Sequence, residues 1–321
     1  MILLTTEEIE NMPILFSLLA AIIPMVLYLI ILWRMDKYEK EPIILLIKHF
    51  FWGAFGAVFL GILGSLILTY PINSIIYDAR VQGLIAAIIV APFVEEITKG
   101  IYLVKTVKNK NFDNITDGII YGGAIGLGFG MTENFLYFIA FGTDIESWMS
   151  IVLIRSIFSA VMHCISTAIF GAFLSLAKFR RNRFKGLIIF SGLFISMILH
   201  SAWNASVSFP TSYFWGLLVM LFIIISFLLI LKLFVNQELR VIRDGLSDEG
   251  LSSNYINILS SNKRFTYGWI EEDLRKELID IATKLAFRKN QLKNCHDNLT
   301  EEYSKDIVNL RSRLRKFIEN N

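Results

Sequence analysis

Apolar residues run along this chain in seven long blocks, at 14–33, 50–70, 81–104, 118–142, 148–177, 186–209 and 211–231. Each is long enough to cross a bilayer as a helix, which takes about 20 apolar residues. The first, second and seventh blocks carry no charge, and the fifth, 30 residues long, must tilt or project. Beyond Asn236 the pattern becomes helical and amphipathic. Leu274, Leu278, Ile281, Leu285 and Leu292 share one face, and Tyr303, Ile307, Leu310, Leu314 and Phe317 share another. The 4-3-4 spacing predicts a short antiparallel helical hairpin or coiled coil. Its apolar faces either pack within the tail, bind a cytoplasmic protein or self-associate. The stretch 244–268 reads as a linker. The expected fold is an all-α polytopic membrane protein, with a seven-span domain over 1–235 and a soluble, mostly helical cytoplasmic tail over 236–321.

Composition agrees with this pattern: 55% of residues are hydrophobic and 18% charged. Residues 1–235 hold 30 of the 59 charged side chains, and the last 86 residues hold the other 29. The short connections 34–49, 105–117 and 178–185 contain 4, 3 and 5 Lys or Arg, whereas the alternate connections contain only Arg80. Basic residues stay on the cytoplasmic side, so the expected topology in the cell membrane is N-terminus outside and tail inside. A net charge of +3 gives no electrostatic footprint for nucleic acid. Cys164 and Cys295 are too far apart in sequence to suggest a disulfide framework or a Cys-rich metal site.

Four blocks nevertheless hold polar or charged residues at membrane depth. The third has Glu95, Glu96 and Lys99, the fourth Glu133 and Asn134, the fifth Arg155 and His163, and the sixth His200 and Asn204 with Trp203 between. A charge at the bilayer centre costs roughly 2.5–3.5 kcal/mol on insertion scales, so these groups must face one another or water. Counted along their helices, Glu96, Glu133, His163 and His200 lie at similar depths, within roughly 10 Å at 1.5 Å per residue. Lys99 can pair with Glu95 (i,i+4) or Glu96 (i,i+3), and Arg155 is expected to pair with Glu133 or to reach the polar cavity that these groups share. Adjacent carboxylates beside one cation suit a general acid or base. Neutral imidazoles with a carboxylate suit a catalytic zinc site. Pro92 should kink the third helix and free the carbonyl of Ile88. Gly122, Gly126 and Gly130 should allow close packing on the helix face that carries Glu133. Asp117 reads as that helix's N-cap. His49 and His296 read as remote from the site, and Cys164 as buried packing.

The motifs FVEEITKG (93–100), DGIIYGGAIGLGFGMTENFLY (117–137), HCISTAIFG (163–171) and HSAWN (200–204) stand in this order, each on its own span. Together they resemble the PrsW family of intramembrane proteases over roughly residues 14–231. They are more distantly similar to CAAX-type and bacteriocin-processing peptidases. The resemblance implies a peptidase that cuts membrane-anchored proteins, making the first cut of an anti-sigma factor-like protein in regulated intramembrane proteolysis. It implies Glu95 and Glu96 as the catalytic pair and His163 and His200 as ligands or water-positioning residues. Lys99, Glu133, Asn134, Arg155, Trp203 and Asn204 support them. Two chemistries use these residues. In one, Zn²⁺ or another divalent metal is held by His163, His200 and Glu133. In the other, Glu96 activates water directly, with the histidines and Asn204 holding the oxyanion. Buried Glu, His and Lys would also serve a proton- or ion-coupled transporter, although no internal repeat of the transporter kind is visible. A membrane scaffold working through its tail is a third reading.

Overall fold

The structure is a computed structural model that describes residues 6–109, 112, 114–178, 184–294 and 300–320. Cys295 and His296 lie outside the described residues. Those described are built from helices: α1 (Thr6–Met35), α2 (Ile43–Phe51), α3 (Val58–Ile75), α4 (Ala79–Ile85), α5 (Ala91–Val107), α6 (Ile115–Phe141), α7 (Ile145–Ile154), α8 (Ala160–Lys178), α9 (Lys185–Ser208), α10 (Pro210–Leu246), α11 (Ser253–Leu259), α12 (Glu272–Asn294) and α13 (Thr300–Asn320). Among the described residues seven helical segments are long and apolar enough to cross a membrane, at Ile14–Met35, Ile43–Ile75, Ala79–Val107, Ile115–Phe141, Ile145–Lys178, Lys185–Ser208 and Pro210–Leu246.

Three of these segments are broken by a π-helical turn: Trp52–Ala57 joins α2 to α3, Ala86–Val90 joins α4 to α5, and Arg155–Ser159 joins α7 to α8. A π turn opens the regular hydrogen-bond ladder and is common at functional sites. Side chains from neighbouring helices close some of the exposed carbonyls. Thr132 Oγ1 donates to Ala54 O at 2.7 Å and Thr98 Oγ1 to Ala57 O at 3.2 Å.

Helix α6 is the central post, and every residue from Thr116 to Gly130 is buried. It packs on α8, α1, α2 and the first π turn. A Cβ placed on Gly126 would lie 2.1 Å from the His163 carbonyl oxygen, and one on Gly171 would lie 1.9 Å from that of Gly118. Only glycine therefore permits this α6–α8 approach, as the glycine spacing predicts. The expected N-cap of α6 is corrected by three residues. Asn114 caps it and Asp117 closes a capping box, with Asp117 N–H donating to Asn114 Oδ1 at 3.0 Å and Asn114 N–H to Asp117 Oδ2 at 3.1 Å.

The tail is not joined through an irregular linker. Helix α10 runs unbroken through position 236 for 37 residues, about 55 Å at 1.5 Å per residue, well beyond a hydrocarbon core of about 30 Å. The expected linker 244–268 holds α11 and a 3₁₀ turn at Asn262–Phe265. Its serines are caps: Ser252 Oγ accepts from Tyr255 N–H and Ser261 Oγ from Lys263 N–H, each at 3.3 Å. Helices α12 and α13 pair antiparallel through Arg288–Asp306 (3.2 Å) and Glu277–Arg313 (3.8 Å). Leu278, Ile281, Leu285, Tyr303, Ile307, Leu314 and Phe317 are buried, so much of both predicted apolar faces is covered within the chain. The 3₁₀ turn docks on the connection between α1 and α2. Lys37 Nζ and Tyr38 Oη both donate to Asn262 Oδ1 at 2.8 Å, and the Tyr38 and Phe265 rings stack at 6.1 Å.

Candidate active site

Pro92 lies in the first turn of α5, the helix that carries the paired glutamates. It cannot donate a backbone hydrogen bond, and it stands two residues past the end of the π turn Ala86–Val90. In π register the carbonyl it leaves open is five residues back, at Ala87, rather than at Ile88 as an α-helical count expects. Asn204 Nδ2 donates to Ala87 O at 2.8 Å. The amide considered for an oxyanion thus braces the helix entering the site.

One turn later α5 presents Glu95, Glu96 and Lys99. Glu96 and Lys99 are buried, and Glu95 is partly so. Lys99 Nζ lies 2.7 Å from Glu96 Oε1, 2.9 Å from His163 Nδ1 and 3.9 Å from Glu95 Oε2. It also sits 4.0 Å from the centre of the Phe129 ring, a cation–π contact. Glu96 Oε1 takes two more contacts, from His200 Nδ1 at 3.0 Å and Ser166 Oγ at 3.2 Å. The glycine-mediated contact of α6 with α8 brings Glu133 to His163, with Oε2 2.7 Å from Nε2. Arg155 spans the neighbouring residues, its Nη2 2.6 Å from Glu133 Oε2 and its Nε donating to Asn134 Oδ1 at 3.1 Å. The expected Arg155–Glu133 pair is present. The two imidazole rings meet edge to face at 4.7 Å.

The network assigns the tautomers. An ammonium only donates, so His163 Nδ1 accepts from Lys99 and its proton lies on Nε2, aimed at Glu133. His200 Nδ1–H donates to the Glu96 carboxylate, which leaves the Nε2 lone pair facing Glu95 Oε2 at 3.8 Å. That Glu95 oxygen is buried and has no hydrogen-bond partner.

Glu95, Glu96, Lys99, Glu133, Asn134, Arg155, His163 and His200 thus form one connected cluster. Trp203 stands apart from it, packing with Met162, Ile165 and Met220 and donating to Ser159 Oγ at 3.2 Å. His49 is remote, as expected, but deeply structural. It is stacked on Tyr121 at 4.3 Å, and its Nε2 lies 2.8 Å from Thr106 Oγ1. Cys164 is a buried free thiol. Sequence reasoning missed Ser166 and Phe129. Ser166 is three residues, nearly one turn, beyond His163, a spacing that could have flagged it.

A cavity of about 440 Å³ opens onto this cluster. Glu95 and Glu133 are its acidic lining, set among small and apolar residues such as Gly61, Ser65, Ala87 and Leu136. Glu95, His163 and His200 each offer one ligand atom within 4.8 Å of the others. The orphaned Glu95 oxygen and the free His200 nitrogen fit a divalent cation. So does the charge, since three carboxylates face two cations and neutral imidazoles. The carboxylate within reach of both histidines is Glu95, whereas Glu133 is engaged by Arg155 and His163.

Comparison with known proteins converges on the same region. The sequence profile of the PrsW family, described as intramembrane metalloproteases, matches residues 41–231. Protease PrsW of Clostridioides difficile (strain 630) is 29% identical over 188 residues, 58% of this chain and 76% of that protein. Protease PrsW of Bacillus subtilis (strain 168) is 25% identical over 191 residues, 58% of this chain and 79% of its own. That of Halalkalibacterium halodurans is 28% identical over 233 residues, covering 70% of this chain and 97% of its own. No solved structure matches the chain. The matched stretch contains every residue of the cluster and ends before the tail. The chain belongs to the PrsW family of intramembrane proteases, and is a multi-pass membrane hydrolase.

Proposed function

We propose that Glu95, Glu96, His163 and His200 form one water-activating centre that hydrolyses a peptide bond of a membrane-anchored protein. The observation that carries this reading is the pair of free acceptors, Glu95 Oε2 and His200 Nε2, 3.8 Å apart where Glu95 lines the cavity. One water can donate a proton to each and keep its lone pairs for attack on a carbonyl. Glu95 then takes the proton as general base. Glu96, held by Lys99, His200 and Ser166, fixes the His200 ring and its tautomer. A Zn²⁺ ion bound here would be held by Glu95 and His200, with His163 the third donor within reach, and would lower the pKa of its water and polarise the carbonyl. The partly polar cavity supplies the water that hydrolysis needs inside lipid.

The substrate class follows the family resemblance: a single-pass anti-sigma factor-like protein, cut first in regulated intramembrane proteolysis. The 12-to-1 division of Lys and Arg across the short connections supports an N-terminus outside and a cytoplasmic tail. Cleavage of candidate single-pass proteins by the full chain in detergent tests the reading. Glu96→Gln and His200→Gln should each lower the rate by about 10²–10⁴-fold, while Lys305→Gln, on the exposed face of α13, leaves it unchanged. Near wild-type cleavage by both site variants would refute the centre.

A further inference from the structure

We propose that Lys99 is the resident cation of this centre and competes with a divalent metal for His163. On this view His163 joins a metal's ligand set only after the Lys99 ammonium has left it. The inference rests on the reading of Glu95, His163 and His200 as the metal-binding set, and it concerns how that set is kept.

The geometry is that of a cation already seated among ligands. Lys99 Nζ touches Glu96 Oε1 at 2.7 Å and His163 Nδ1 at 2.9 Å, and stands 3.9 Å from Glu95 Oε2. It is fully buried, and the Phe129 ring closes over it at 4.0 Å. A neutral imidazole has one lone pair and one N–H. Lys99 occupies the lone pair of His163, and Glu133 Oε2, at 2.7 Å, takes its N–H. Neither nitrogen can then ligate a metal. A metal at Nδ1 would displace Lys99 directly. A metal at Nε2 would move the ring proton to Nδ1, where it would face the ammonium donor. His200 is arranged oppositely. Its Nδ1–H rests on Glu96 and its Nε2 is free, the orientation that metal-ligating histidines adopt. The two histidines of the motif are therefore inequivalent, and Lys99 makes them so.

Zn²⁺ binding to the full-length protein in detergent, measured by competition with a chromophoric chelator, tests this. In the wild-type background His200→Ala should lower affinity by at least about 100-fold, because a ligand is lost, while His163→Ala should change it by less than about threefold. Lys99→Met should raise affinity about tenfold or more, and adding His163→Ala should remove that gain. Co²⁺ bound to Lys99→Met should show visible bands shifted from those of the wild type, as a further imidazole ligand requires. Equal losses from His163→Ala and His200→Ala in the wild type would overturn the proposal and leave the metal reading standing. A Lys99→Met gain that survives His163→Ala, or no gain at all, would also overturn it. If neither wild type nor Lys99→Met binds Zn²⁺, the metal reading falls and the proposal with it. If Lys99→Met does not fold, the two histidine variants in the wild-type background decide the matter alone.

Discussion

At the scale of single residues, the centre is a set of charges whose membrane cost is met by mutual contact. Arg155 illustrates how specific that contact is. Its Nη2 holds Glu133 and its Nε holds Asn134, two residues adjacent in sequence. A lysine keeps the charge and loses this fork. Arg155→Lys is therefore expected to lower cleavage by about 10–100-fold, as loss of an outer-shell contact does, with membrane insertion unchanged. Undiminished cleavage would show that Glu133 needs no fork. The charged members of the cluster were legible in the sequence because each is an expensive residue in an apolar block, at a depth that could be counted. Ser166 carried only its spacing from His163 as a signal, since a serine in a membrane helix can satisfy itself on its own backbone, and this one also donates to His163 O.

The elements place these residues through two devices of unequal visibility. Glycines every four residues on α6 announced its close approach to α8. A methyl on Gly126 would meet the His163 carbonyl at 2.1 Å. Gly126→Ala should cost about 1–3 kcal/mol through overpacking, read as a lower melting temperature in detergent, and should separate Glu133 from His163. A variant as stable and active as wild type would show that the helices can part without harm. The π turns were invisible, because no residue pattern marks them as Gly or Pro marks other breaks. Pro92 pointed to an irregularity but not to its register, and so not to Asn204. Asn204→Leu should leave the Ala87 carbonyl unsatisfied at a cost of about 1–3 kcal/mol, again as a lower melting temperature. The turn from charge-poor to charge-rich sequence near residue 236 suggested a boundary, whereas α10 crosses it as one unbroken helix. The reason is that charged residues such as Glu238 and Arg240 continue a helix as readily as Leu does.

Across the whole molecule the tail is docked rather than tethered. Lys289 and Arg311 converge on Glu249 at 2.7 Å. Arg264, in the 3₁₀ turn whose Phe265 stacks on Tyr38, is fully buried and donates to Thr283 of α12. Asp36 lies buried in the connection between α1 and α2, accepting from Glu41 N–H at 2.9 Å. Burial pushes its carboxyl from 3.8 up to about 7, opposed by that N–H and by Lys40. Glu41 is driven upward too, by burial first and then by Asp117. A raised carboxyl binds its proton more tightly in the folded state, so its stabilising contribution is complete below about pH 4 and is lost as pH rises to about 7. The melting temperature of the wild type should fall more between pH 5 and pH 8 than that of Asp36→Asn, and an equal fall in both would show that Asp36 does not set this pH dependence. The most direct test of the proposed water-activating centre is the rate at which Glu95→Gln cleaves a single-pass substrate, measured beside its insertion and melting temperature. Cleavage should drop by about 10²–10⁴-fold in a protein that inserts and melts as the wild type does. Near wild-type cleavage by Glu95→Gln would contradict that centre.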